Sequence, residues 1–214
     1  RAWHMGVQGP QVLKGDRGHG KQATDCDVAV VGGGPAGLIA ARELASAGFS
    51  VRVLEEHDLI GAPVHCTGVL GLDAFDELNL SRRSIVGAAD RARFVAPNGT
   101  TVVIEGGRVR AAVVDRALFD RELASSAIAA GAIVQTGMRV SGVTRAPESV
   151  TVRTADGGQG TIHARAVILA CGASYRFNRA LGLGVPSVLV HSAQLDVPFP
   201  PLDEVQVHFG RAIA

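Results

Sequence analysis

The sequence has no surplus of charge of either sign and no long hydrophobic run. Its 21 Lys and Arg against 20 Asp and Glu leave a formal charge of +1, so no overall field attracts nucleic acid or an anionic bilayer. The longest nearly apolar run, residues 28–41, contains four glycines and a proline. It is shorter than the roughly 18 apolar residues of a membrane-spanning helix. Any partner must therefore be recognised at a local site.

Cysteine is scarce as well. Cys26, Cys66 and Cys171 lie far apart and form no C-x-x-C or His-containing pattern, so the sequence predicts no metal site and favours a reducing, cytoplasmic setting. The chain starts at Arg1 without the apolar segment of a signal peptide. We expect it to be a fragment of a longer protein or an unusual gene model.

Glycine, in contrast, is abundant, with 27 of 214 residues against a usual share of about 7%. Five glycines and no apolar period lie in residues 1–24, which predicts a disordered tail. The chain as a whole is 47% hydrophobic and 19% charged, a composition that supports a globular core.

A β-α-β unit of about 30 residues follows the tail. The pattern predicts a strand at residues 28–31, a glycine-rich break at 32–34, a helix over 35–47 closed by Gly48, and a second strand that ends at Glu55. The crossover connection implies a parallel sheet.

The remaining chain reads as an insert followed by a return to the sheet. After Gly61 the pattern is irregular. Turn residues at 97–99 predict a hairpin over 91–105, and Asp115 predicts the N-cap of a helix closed by Gly131. Four further segments follow: strands at 133–135 and 140–143, a hairpin of 150–154 with 161–164 around residues 156–158, and a fully apolar, buried strand at 167–170.

The glycines of the β-α-β unit fit the pattern G-x-G-x-x-G. In this context Gly32 makes the tight turn, Gly34 lets the backbone approach a pyrophosphate, and Gly37 lets helix and strand pack closely. The helix N-terminus offers N–H groups to that pyrophosphate. Glu55, 23 residues after Gly32, can accept both hydroxyls of an adenosine ribose, and its charge would repel a 2′-phosphate. FAD or NAD is implied and NADP is not; the alternative is a glycine-rich turn without a ligand.

Four segments together resemble the geranylgeranyl reductase family of flavoproteins: Asp27–Gly37, Val51–Glu55, Gly61–Gly68 and Val114–Asp120. The resemblance implies an α/β fold, with a Rossmann-like FAD-binding domain of the glutathione reductase and hydroxylase type interleaved with an antiparallel β substrate domain. The predicted limits are 25–75 and 107–185 for the FAD-binding domain, and 76–106 and 186–214 for an incomplete substrate domain.

The resemblance also implies roles for individual residues. In the glycine motif, the cofactor-binding residues are Gly32, Gly34, Pro35, Ala36 and Gly37. Ala36 and Glu55 would contact the AMP half of FAD, Cys66, Thr67 and Gly68 would line the flavin, Arg116 would meet the phosphates, and Val140 would offer backbone groups to the adenine. Cys66 is the candidate catalytic residue. It has packing as its alternative, and the adjacent His65 is an alternative acid.

Arg116 carries a signal of its own. It lies in the first turn of a predicted helix, where a cation opposes the helix dipole, and this misfit favours a bound anion.

The chain departs from the related pattern in two ways. Cys171 and Gly172 stand where related hydroxylase-like flavoproteins carry Asp-Gly, which puts the role of that pair in doubt. A downstream Gly-Asp segment for the flavin phosphate and an aromatic substrate motif are absent, in line with an aromatic content of 4%. We therefore expect an incomplete copy that is poorly soluble, colourless and inactive by itself.

The function implied is reduction of isoprenoid double bonds by reduced FAD. The substrate chains would be those of archaeal-type lipids or the chlorophyll side chain, and NAD(P)H or reduced ferredoxin would be the transient electron donor. The partner is then a prenyl or lipid substrate and no nucleic acid, in a cytoplasmic protein for which peripheral membrane contact is an open alternative. The alternatives are a flavin monooxygenase or halogenase of the aromatic-hydroxylase type, and an inactive FAD-binding remnant.

Overall fold

We describe the chain from a computed structural model, which covers residues 13–14, 26–106, 111–155, 160–190, 192–195 and 204–210. The strands in these residues are β1 (Leu13–Lys14), β2 (Cys26–Val31), β3 (Val51–Leu54), β4 (Val69–Gly71), β5 (Ile85–Ala89), β6 (Arg91–Val95), β7 (Thr101–Glu105), β8 (Ala111–Val114), β9 (Ile133–Thr136), β10 (Arg139–Arg145), β11 (Val150–Ala155), β12 (Thr161–Leu169) and β13 (Glu204–His208). The helices are α1 (Pro35–Ser46), α2 (Asp73–Glu77), α3 (Arg116–Ala129) and α4 (Arg176–Ala180).

The chain divides into two units. The first comprises Arg1–Ala62 with Asp120–Leu189, and the second comprises Pro63–Phe119 with Val190–Ala214. The predicted limits of a cofactor domain and a substrate domain stay a prediction, because a division by packing does not say what either unit binds.

The first unit contains a seven-stranded sheet in the order β1-β9-β3-β2-β12-β11-β10. The pairs from β1 to β12 are parallel, and β11 and β10 continue the sheet as antiparallel strands. The predicted parallel β-α-β unit is confirmed: β2 and β3 are neighbours, and α1 connects them.

The centre of this sheet is buried because β2 is apolar from Val28 to Val31 and three of the four residues of β3 are apolar. Val30 and Val53 are fully buried, as is Leu38 of α1, which is the pattern expected of a parallel sheet covered on both faces. The helix begins with Pro35 in its first turn and ends at Ser46, and Gly48 follows with φ +89°. Proline in the first turn and glycine just past the last turn are the residue types that favour a helix start and a helix end.

The strand predicted at 167–170 differs in extent and burial. It is the second half of β12, which runs without interruption from Thr161, and its residues are half-buried. The physical reason lies in the pairing. The registered contact with β11 ends at Ala164, while β2 pairs with β12 from Ala164 to Leu169. Beyond Ala164, β12 pairs with one neighbouring strand, β2, instead of two.

The second unit contains two three-stranded sheets, with orders β4-β8-β5 and β13-β6-β7. The predicted hairpin is confirmed as β6 and β7, with Asn98 accepting the Thr100 N–H at 3.0 Å in the turn. The Phe75 ring of α2 is buried and lies 6.2 Å from that of Phe119.

Two parts of the sequence prediction need correction. The segment after Gly61 contains β4, α2 and β5, and β8 follows the hairpin; these elements are three to five residues long, too short for a hydrophobic period to develop. The predicted tail contains β1, which pairs through its backbone with Gln135 and Thr136 of β9 and so needs no apolar pattern. The rest of the predicted tail and the turn at 156–158 lie outside the described residues.

No helix in the described part of the chain is long and apolar enough to cross a membrane.

Asp27 joins three strands at one end of the sheet. Its Oδ2 accepts hydrogen bonds from the backbone N–H and the hydroxyl of Ser50, at 2.9 and 2.7 Å, just before β3. Its Oδ1 accepts one from Arg165 of β12 at 3.0 Å. The Ser50 donors, with a smaller contribution from Arg165, lower the pKa of Asp27 from 3.8 to about 2. The ionised form of Asp27 is therefore favoured in the folded protein.

We predict that Asp27→Asn lowers the urea midpoint near neutral pH, and that the difference from the parent shrinks as the pH falls from 3.8 towards 2. A carboxyl group whose pKa is depressed on folding stabilises the fold above its unfolded pKa and loses that effect as it protonates. Urea unfolding at several pH values measures this. Glu148→Gln, at an exposed residue between β10 and β11, is the control. A difference that persists undiminished at the lowest pH would contradict the role of the Asp27 charge.

Candidate cofactor site

The glycine turn between β2 and α1 is imposed by close backbone contacts at two of its positions. Gly32 has φ +111°, and a Cβ there would overlap the carbonyl oxygen of Ala170. A Cβ on Gly37 would overlap the carbonyl oxygen of Gly32. Gly32 also donates its N–H to Leu54 of β3 at 2.9 Å. The fold itself therefore requires glycine at positions 32 and 37.

Gly34 differs from these two. It is the N-cap of α1 with φ −79° and ψ 178°, an extended conformation open to any residue, and a Cβ there would meet no atom within 4 Å. The N-terminus of α1 has neither a capping side chain nor an acidic residue in its first turn. Because first-turn N–H groups lack partners within a helix, Ala36 and Gly37 present donors at this end.

Glu55 follows β3 and is tied to the glycine turn. Its side-chain Oε2 accepts the Gly33 N–H at 2.6 Å, and the residue is only 9% exposed. Its own backbone N–H and carbonyl are bonded to Gln135 and Met138. The Glu55 side chain also accounts for the glycine at position 33, because a Cβ on Gly33 would lie 2.9 Å from the Glu55 Cβ.

His57 is a residue of this site that the sequence analysis missed. Its backbone N–H donates to Glu55 Oε1 at 3.0 Å, and its ring Nδ1 lies 2.5 Å from the same oxygen. Sequence patterns point to the acid at the end of the second strand and not to what orients it. A histidine two residues after that acid was the available signal.

Val140 lies in β10 and is buried. Its carbonyl oxygen accepts a hydrogen bond from Arg176 of α4, so this backbone group already has a partner. Arg176 also lies over the ring of Phe177, 4.6 Å from the ring centroid.

The other predicted site residues belong to the second unit. His65, Cys66 and Thr67 are exposed in the loop before β4. Gly68 is buried with φ +73°, and its carbonyl oxygen accepts the Val114 N–H at 2.9 Å.

Arg116 and Gly68 are brought together in this unit. Arg116 is the first residue of α3, and a Cβ on Gly68 would lie 3.4 Å from its Cγ. The predicted N-cap of α3 is confirmed, since Asp115 Oδ1 accepts the Leu118 N–H at 2.9 Å.

Cys171 lies two residues after the end of β12. Its Sγ lies 3.5 Å from the Val31 carbonyl oxygen, as a weak donor, and Gly172 after it has φ +59°. Burial raises the pKa of the Cys171 thiol, and the nearby Arg176 opposes this only in part. Within the described residues, no three His, Cys, Asp or Glu side chains come together as a metal site would require.

Comparisons with known proteins agree with this architecture. A family model described as an FAD binding domain matches residues 25–208. A digeranylgeranylglycerophospholipid reductase of Methanoculleus marisnigri is 36% identical over 167 residues, which are 73% of this chain and 41% of that protein. Digeranylgeranylglycerophospholipid reductase 1 of Methanothermobacter thermautotrophicus is 29% identical over 200 residues, 87% of this chain and 50% of that protein.

Among solved structures, a geranylgeranyl bacteriochlorophyll reductase-like protein from Thermoplasma acidophilum matches with a TM-score of 0.75 and 27% identity, over 87% of this chain and 51% of that one. These similarities confirm the predicted fold class and the resemblance to geranylgeranyl reductases. The chain spans about half or less of the length of these relatives.

We predict that a thiol reagent such as iodoacetamide modifies Cys66 first, Cys171 more slowly, and Cys26 only on unfolding. Cys66 is exposed, Cys171 is half-buried and Cys26 is buried. The raised pKa of Cys171 further reduces its thiolate fraction, and the thiolate is the reacting form. Peptide mass spectrometry over a time course measures the order. Modification of Cys171 as fast as Cys66 would contradict the packing described here.

Proposed function

The chain belongs to the family of FAD-binding domains, and on that basis we propose that it is part of a flavin-dependent reductase that saturates carbon–carbon double bonds of a geranylgeranyl or other isoprenoid chain. The names of its relatives support this substrate class, since they act on digeranylgeranylglycerophospholipid or resemble an enzyme of geranylgeranyl bacteriochlorophyll. The electron donor, NAD(P)H or reduced ferredoxin, binds transiently.

The observation that carries the proposal is the open space at Gly34. Its neighbours Gly32 and Gly37 must be glycine because backbone atoms press on them, whereas nothing in the fold requires glycine at 34. A position that lacks a side chain without a structural need, at the N-terminus of a helix, is suited to an approaching pyrophosphate. The residues present therefore fit a dinucleotide such as FAD.

The first unit then binds the adenosine half of FAD. The N–H groups of Ala36 and Gly37 at the start of α1 bind the pyrophosphate, with Pro35 fixing the helix start, and the buried Glu55 carboxylate binds the ribose. The Val140 N–H remains the backbone group we assign to the adenine, since the Val140 carbonyl is bonded to Arg176.

The second unit's residues are assigned to the flavin. Cys66 and Thr67 are exposed and accessible, Gly68 packs against the start of α3, and Arg116, the first residue of α3, is the cation that the family resemblance assigns to the phosphates. FAD, when bound and reduced, supplies a hydride to one alkene carbon. The chain's part is to orient the alkene, to exclude water and to place an acidic proton beside the other carbon, and Cys66 is the residue we place in contact with the reacting groups.

We predict that Gly34→Val weakens FAD binding by roughly 10- to 100-fold while the fold persists. The new side chain meets no protein atom within 4 Å, but it displaces the pyrophosphate from donors whose hydrogen bonds to a charged group contribute about 1.5–3 kcal/mol. Flavin fluorescence titration gives the dissociation constant, and circular dichroism follows the fold.

The matched control is Gly184→Val. Gly184 is also open, exposed and free of positive φ, but it lies outside the candidate site, so FAD affinity should stay at the parental value. Equal FAD affinity in Gly34→Val and the parent would contradict the dinucleotide assignment.

We predict that, in the complete reductase of which we propose this chain is part, Cys66→Ser slows reduction of a geranylgeranyl substrate more than it weakens FAD binding. Serine keeps the size of the side chain but changes its polarity and acidity. The product, which gains two hydrogens for each bond reduced, is followed by mass spectrometry without oxygen.

Retained rates in Cys66→Ser together with a loss of rate in His65→Asn would assign the proton to His65 and contradict the role of Cys66. Oxygen-dependent hydroxylation or halogenation in place of alkene reduction would favour the monooxygenase alternative.

A further inference from the structure

The Glu55 carboxylate has fewer free acceptor positions than its place in the motif suggests. An ionised carboxylate offers about four lone-pair positions. Oε2 accepts the Gly33 N–H, and Oε1 is approached by both the backbone N–H and the ring Nδ1 of His57. Among the contacts of the described residues, Oε1 is saturated and one position remains on Oε2.

The His57 ring is a donor in this contact. A carboxylate oxygen and a nitrogen lone pair repel each other, so a separation of 2.5 Å between Nδ1 and Oε1 requires a proton on Nδ1. The His57 side chain is 48% exposed while that of Glu55 is 12% exposed, so the histidine reaches in from the surface to a carboxylate that is largely buried. Arg139 forms its ion pair with the neighbouring Glu56, at 3.7 Å.

We propose that His57 is a positioning residue whose ring occupies the second acceptor position of Glu55 Oε1, so that Glu55 binds one of the two adenosine ribose hydroxyls and not both. Three contacts at two oxygens leave the carboxylate no free torsion, and the remaining acceptor position lies on Oε2, the oxygen next to the glycine turn. This inference rests on the proposed function, since it specifies how the nucleotide is recognised. It replaces the expectation that Glu55 accepts both hydroxyls.

The test compares ADP with its 2′-deoxy and 3′-deoxy analogues by calorimetry. In the parent protein, one analogue should bind about tenfold more weakly than the other, because only one hydroxyl donates to the charged acceptor. His57→Ala keeps the backbone donors to Glu55 but vacates the acceptor position on Oε1 that the ring occupies, so Glu55 can accept both hydroxyls and the two analogues should bind within about threefold of each other.

Two further variants separate positioning from a general structural role. The amide nitrogen of Asn can take the place of Nδ1, so His57→Asn should retain the difference between the analogues, whereas the longer His57→Gln should lose it as His57→Ala does. A residue that only supports the fold would lower the affinity for all three nucleotides alike and leave the difference unchanged. Since His57 is half-exposed, the variants are expected to fold, and thermal melting checks this.

The outcomes separate this inference from the proposed function. If ADP binds the parent but both analogues bind equally, or if His57→Ala keeps the parental difference, positioning by His57 is overturned while nucleotide binding stands. If none of the three nucleotides binds the parent, the proposed function fails and this inference fails with it.

Discussion

The hydrogen bond from the Gly33 N–H to the buried carboxylate of Glu55, at 2.6 Å, joins the two halves of the β-α-β unit. It connects the glycine turn after β2 to the end of β3, and on the other side of Glu55 the backbone is bonded to Gln135 of β9. A carboxylate that is 9% exposed needs such donors, because burying an unpaired charge is costly. The position of the turn, the start of α1 and the acid at the strand end are therefore fixed together.

This constraint explains why the glycines of one motif have different causes. Gly32, Gly33 and Gly37 are required by atoms of the protein itself, namely the Ala170 carbonyl, the Glu55 side chain and the Gly32 carbonyl. Gly34 has no such requirement. Glycines that the fold requires and the one that we propose a ligand requires thus lie side by side in six residues, and only the packing around each position separates them.

The sequence predicted the β-α-β unit, the hairpin of β6 and β7 and the N-cap at Asp115 because each depends on local chemistry: turn glycines, a proline in a first helical turn, a capping carboxylate. It failed for β4, α2, β5 and β8, whose short segments become regular only through pairing with distant strands or packing on them. It also missed His57, since the contact with Glu55 depends on how the chain turns after β3 and not on a recurring pattern.

The central claim is that the first unit recognises the adenosine half of FAD through the start of α1 and Glu55. Competition between nucleotides tests it most directly: the purified chain is titrated with FAD, and ADP and FMN are then added separately as competitors. The account predicts that ADP displaces FAD in a single-site manner while FMN, which lacks the adenosine, does not. Displacement by FMN without displacement by ADP would contradict it.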